Sequence, residues 1–132
     1  MDNRQRAIYL CRGRVGLGIA MMLAPRSGSR FGFGTGNDSQ GAAALGRAFG
    51  AREAVLGTGA AIALSERKGG QNWLSMTAVA DAVDAAAMLL TPRLPLRVRL
   101  IGILAAASAV AQFVVAQEIA KEEADELAAQ GA

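Results

Sequence analysis

The sequence predicts an all-α fold: a four-helix transmembrane bundle with a short charged C-terminal helical tail. Three observations predict it. Four apolar stretches stand out, each near the ~20 residues that cross a bilayer. No segment alternates with period two, so no strand is expected. The composition is 52% hydrophobic, 19% charged and 5% aromatic, with Ala, Leu, Val, Ile and Met as the apolar mass. An Ala-rich soluble core would be thin, since burial is worth roughly 25 cal/mol per Å². In lipid, small residues instead let helices pack closely.

The four helices are expected at about 7–25, 42–64, 73–91 and 98–117, in one domain, with the tail at 118–132. The first contains Arg12 and Arg14, and the second Arg47, Arg52 and Glu53. The third contains Asp81 and Asp84; the fourth is free of charge from Leu100 to Gln117. Arg26 to Gly41, rich in Gly and Ser, reads as a loop, as does Ser65 to Asn72 with its Gly69-Gly70 stop. Pro92 and Pro95 mark the third connection, among Arg93, Arg97 and Arg99. Glu118 to Leu127 has no wide apolar stripe and is expected to be solvated. Tyr9 and Trp73 fall where interfacial aromatics sit, although a belt needs more members.

A signal peptide is the main rival for the first stretch, with Arg4 and Arg6 before an apolar run ending at Leu23-Ala24-Pro25. The proline after the supposed cut disfavours it. Cys11 is the sole cysteine and there is no histidine, which excludes an internal disulfide and a zinc site. A net charge of +3 does not argue for nucleic acid.

The informative feature is a set of charges near the midpoints of three spans: Arg14, Arg47 and Arg52 against Glu53, Asp81 and Asp84. Three positive charges match three negative ones, so the set is formally neutral. A charge at the bilayer centre costs at least ~2.5–3.5 kcal/mol, so these groups are expected to pair inside the bundle. At 100° per residue, Gly46, Gly50, Ala54 and Gly57 form a small-residue seam, and Glu53 shares that face. Thr77, Asp81, Asp84 and Met88 share a face of the next helix. Arg52 lies off the seam and must meet another helix, such as the first, or a second copy of the chain.

Two readings compete for this set. The cluster could bind an ion, a proton or a polar substrate, the default for ionisable groups in a membrane. Or the ion pairs fix helix register and nothing more. The formal neutrality favours the second. Asp81 and Asp84 as an acid–base pair or Mg²⁺ site form too common a spacing to be specific. Phe31-Gly32-Phe33-Gly34-Thr35-Gly36 lacks the lysine of a phosphate loop and follows no strand, so it reads as a connection. Arg93, Arg97 and Arg99 read as ordinary flanking charges, with anionic headgroups as the alternative.

Leu45-Gly46-Arg47-Ala48-Phe49-Gly50-Ala51-Arg52-Glu53-Ala54-Val55-Leu56-Gly57 resembles a recurrent R-x-F-G-x-R-[DE]-x-x-L-G stretch. Arg14 to Gly18 through Arg26, and Trp73-Leu74 with Ala80 to Ala85, resemble its flanking helices. The pattern is similar to small four-helix membrane proteins of high-GC bacteria, grouped as a domain of unknown function. The resemblance spans most of residues 12–117. It implies a fold and a membrane location but no activity, so it carries over no catalytic residue.

The expected protein is a non-enzymatic membrane bundle or accessory subunit, without cofactor or metal, whose partners are the bilayer and either another protein or its own copies. The alternatives are an ion- or proton-coupled carrier using Glu53, Asp81 and Asp84, and a soluble all-α bundle. Lys and Arg outside the spans number five on each side, and Arg12 tips both termini toward the cytoplasm.

Overall fold

The computed structural model describes residues 3–34 and 39–130, which are helical but for short connections. Five helices follow one another: α1 (Asn3–Leu23), α2 (Pro25–Phe33), α3 (Gln40–Ser65), α4 (Gly70–Leu90) and α5 (Leu96–Gln130). Two departures from the sequence reading matter.

The first is α2, which lies in the expected Gly/Ser loop. Pro25 ends α1, because a proline excludes the preceding residue from helical geometry; Ala24 sits at φ −126°, ψ 57°. The chain turns by 106° and restarts with Pro25 in the first helical turn, where its missing N–H costs nothing. Glycines disfavour a helix by up to ~1 kcal/mol each in isolation. Tertiary contacts override that here. Pro25 packs on Gly46, Ser29 Oγ donates to Ala42 O (3.3 Å), and Gly32 approaches Ile101. The end of the helix is Gly34, at φ +93°, whose N–H donates to Arg30 O. Thr35 and Gly36, the rest of the glycine run, lie outside the described residues.

The second is the tail, which is not separate: α5 continues to Gln130. Ile119 is fully buried with Leu64, Leu74, Ala7 and Cys11. Arg4 donates to Glu123 (3.1 Å) and to Leu64 O (3.3 Å), and Asn3 to Glu118 (3.1 Å). The single apolar residue Ile119 docks a segment that a search for a wide stripe passes over. Beyond Glu123 the helix is exposed, as expected.

The packing divides into two antiparallel hairpins. In the first, α3 runs back along α1 and α2 through the predicted seam. A Cβ on Gly18 would sit 2.5 Å from Gly50 O and 2.6 Å from Ala54 N, and one on Gly57 2.7 Å from Cys11 O. Gly46, Gly50, Ala54 and Gly57 thus meet backbone directly. In the second, α5 runs back along α4, with Gly102 against Met88 and Leu89. The hairpins join along α3 and α4, where the Trp73 ring covers Gly59 and Arg52 reaches Asp84. Gly70 opens α4 after Gly69 at φ +68°, and packs closely on Leu64, which a Cβ there would overlap.

The surface inverts the usual distribution of polarity. Large apolar side chains point outward along every long helix, among them Leu10, Leu17, Val55, Val79, Val83, Ile103, Leu104 and Val110, with Leu104 69% exposed. Glu53, Thr77 and Asp81 are buried. Among the described residues, α4 and α5 are each long and apolar enough to cross a membrane; α1 and α2 qualify only as a bent pair. The α3 helix, with Arg47, Arg52 and Glu53, is not among them.

Candidate functional site: an ion-pair layer between two hairpins

Midway along the bundle the two hairpins meet through charged groups. Four of the long helices contribute: Arg14 from α1, Arg52 and Glu53 from α3, Asp81 and Asp84 from α4, Ser108 and Gln112 from α5. The groups form one alternating chain. Asp84 takes both terminal nitrogens of Arg52, one of them at 2.9 Å. Arg52 also donates to Glu53 Oε1 (3.0 Å). Glu53 Oε2 accepts from Arg14 Nε, and Arg14 continues to Asp81 Oδ1. Asp81 Oδ2 closes the chain by accepting from Ser108 Oγ and Gln112 Nε2, both at 2.7 Å. Gln112 Oε1 in turn accepts from Arg14 (3.2 Å), so the amide serves both neighbours.

Each residue is placed by its helix. Asp81 and Asp84 are one turn apart on the α4 face with Thr77, as their spacing requires. Glu53 follows the glycine seam toward α1, so its carboxylate meets Arg14. Arg52, off that seam, meets α4, the third expected span, through Asp84. Its guanidinium also lies 4.9 Å from the Phe49 ring centre, a cation–π distance. Arg52 Nε is buried and finds no acceptor among the described residues.

Arg47 is the correction. It is exposed and lines a cavity beside Leu23 and Arg26 at the α1–α2 elbow, away from the layer. About 1.7 turns of helix separate it from Glu53, and Pro25 occupies the seam at its level. Its removal changes the charge balance. Two guanidiniums now face three carboxylates, which leaves one negative charge. The formal neutrality read from the sequence does not hold for the groups that touch.

Ser108 and Gln112 are the members of the layer that sequence reasoning misses. A usable signal is present: they are the polar pair at i, i+4 inside the charge-free stretch of the last span. The long apolar run around them masks it.

Glu53, Asp81 and Asp84 each offer a carboxylate oxygen, and these lie within 4.8 Å of one another. A cation there would compete with two guanidiniums already bonded to the same groups. The layer's hydroxyl, Ser108, donates to a carboxylate already held by Arg14 and Gln112, and the buried Cys11 packs with Ala7 and Leu64. No family model matches the chain, and no curated protein or solved structure is detectably similar to it.

Proposed function

We propose that the chain is a small integral membrane protein, a non-enzymatic bundle or accessory subunit whose ion-pair layer locks two helical hairpins together inside the bilayer. The single observation that carries this reading is the inversion of polarity, with leucine and valine outside and a hydrogen-bonded charge chain inside. A water-soluble bundle would bury the first and solvate the second. In lipid the outward face needs no cover, and the charges are tolerable because each has a partner. On this reading α3 crosses with its charges masked by α1 and α4, which makes four spans, one of them bent at Pro25. The resemblance to small bacterial membrane proteins is in keeping with it.

A charge exchange tests the lock. Arg52→Asp or Asp84→Arg alone should lower the amount of membrane-extracted folded protein several-fold. The two together should restore most of it. Full levels in both single variants would end the locking reading. Repeated recovery of a lone monomer from mild detergent would end the subunit version.

One observation favours a second reading, an ion- or proton-coupled carrier. The surplus negative charge in the layer has room in its balance for one cation, a proton among them. Glu53, Asp81 and Asp84 would be its ligands. Proteoliposomes carrying an internal pH dye should then dissipate an imposed proton gradient, and Asp81→Asn with Asp84→Asn should abolish this. If the folded double variant leaves the gradient decay unchanged, the carrier reading is lost.

A further inference from the structure

The two ends of the bundle differ in charge. One end holds the start of α1, the end of α5 and the α3–α4 connection, where Glu66, Glu118, Glu122, Glu123, Asp125 and Glu126 stand among Arg4, Arg6, Arg67, Lys68 and Lys121. The other end holds α2 and the α4–α5 connection. It carries Arg26, Arg30, Arg47, Arg93, Arg97 and Arg99, and no carboxylate among the described residues; Asp38 lies outside them. At this second end the α1–α2 elbow borders an open cavity of about 520 Å³. Leu23, Arg26, Ser27, Gln40, Ala43 and Arg47 line it. Arg26 and Arg47 make no ion pair or side-chain hydrogen bond among the described residues, although every guanidinium of the central layer is paired.

We propose that this cavity binds the phosphate of an anionic phospholipid, held by Arg26 and Arg47. The proposal rests on the membrane reading above. Charge complementarity points to a phosphate: two arginines, a serine and a glutamine line one cavity, and a guanidinium fork matches phosphate oxygens. The first turns of α2 and α3, which carry partial positive charge, contribute Arg26, Ser27 and Gln40 to the wall. The lipid source follows from the surroundings. Leu23 forms part of the wall and is 81% exposed, and Leu45 and Phe31 are exposed on the flanking helices. A helix turned 106° from its neighbour, with arginines and an exposed phenylalanine, suits the headgroup level, where apolar side chains meet acyl chains. A free phosphate would use the arginines and leave those apolar groups without a role.

The test is native mass spectrometry of the protein in mild detergent, titrated with phosphatidylglycerol or with phosphatidylcholine of the same acyl chains. Phosphatidylglycerol should bind in preference, and Arg26→Gln/Arg47→Gln should weaken it roughly 25-fold, at about fivefold per arginine near a charged headgroup. Arg12→Gln, an exposed guanidinium on α1 outside the cavity, should leave it unchanged. Equal binding of the two lipids, or equal binding by the double variant, overturns the proposal. Displacement of phosphatidylglycerol by millimolar inorganic phosphate would assign the cavity to a free anion and also overturn it, as would a dimer that the double variant dissolves. Alkaline carbonate separates the lipid site from the membrane reading beneath it. A protein that carbonate releases from membranes fails the membrane reading itself, whereas one that stays inserted yet ignores the headgroup fails only this proposal.

Discussion

The two hairpins solve the same problem with different chemistry. The α4/α5 hairpin is apolar enough to cross a bilayer helix by helix, and its polar groups, Asp81, Asp84, Ser108 and Gln112, all turn to one side. The α1/α3 hairpin is glycine-rich, carries both guanidiniums of the layer, and has one helix bent and the other too charged to qualify as a span. Its backbones touch at Gly18, Gly50 and Gly57, so its own interface is built from shape, not from large side chains. The difference teaches a dependence. The α4 and α5 helices are each long and apolar enough to cross a membrane, while α1 and α3 draw on the α4 carboxylates to pair Arg14 and Arg52.

The largest effect should come from cutting that dependence. Arg14→Ala removes the guanidinium that buried Glu53 and Asp81 share and leaves Arg52 alone against three carboxylates. Loss of one side of a buried pair costs ~3–5 kcal/mol, enough to unfold a marginal bundle. Its folded fraction in detergent should collapse, and near-normal stability would mean that Glu53 and Asp81 are solvated.

Next come the glycines. Gly50→Ala puts a methyl about where the Gly18 carbonyl stands, and overpacking of this kind costs ~1–3 kcal/mol. Gly13 and Gly16 lie on the same helix as Gly18, but a methyl on either would have nothing within 4 Å, so alanine there should stabilise by up to ~1 kcal/mol. A thermal shift series would separate the two classes, and equal effects would contradict the seam. Arg52→Gln should cost less than Arg14→Gln, since the Arg52 side chain is 33% exposed against 15%. At the bottom of the scale, Glu126→Ala breaks the Arg67 pair on the surface, at 60% and 57% exposure. It should shift stability by less than ~1 kcal/mol.

Much of this is legible in the sequence. The glycine seam, the inward Glu53, the paired face of Asp81 and Asp84 and the odd direction of Arg52 follow from helical spacing alone. What escapes does so for physical reasons. Helix α2 is held by contacts with Gly46, Ala42 and Ile101, distant in sequence, which local propensity cannot register. Arg47 looks like a member of the charge set because counting along the chain ignores the bend at Pro25, which fills the seam beside it. Ser108 and Gln112 gain meaning only once Asp81 is known to face them.

The central claim is that the outward apolar faces meet lipid. The measurement that tests it most directly is fractionation of tagged protein, with an alkaline carbonate wash followed by detergent. Retention through carbonate and release by detergent alone is the predicted result. Release by carbonate, or a protein that stays in the soluble fraction from the start, would contradict it, and the exposed leucines and valines would then need a protein partner instead of a bilayer.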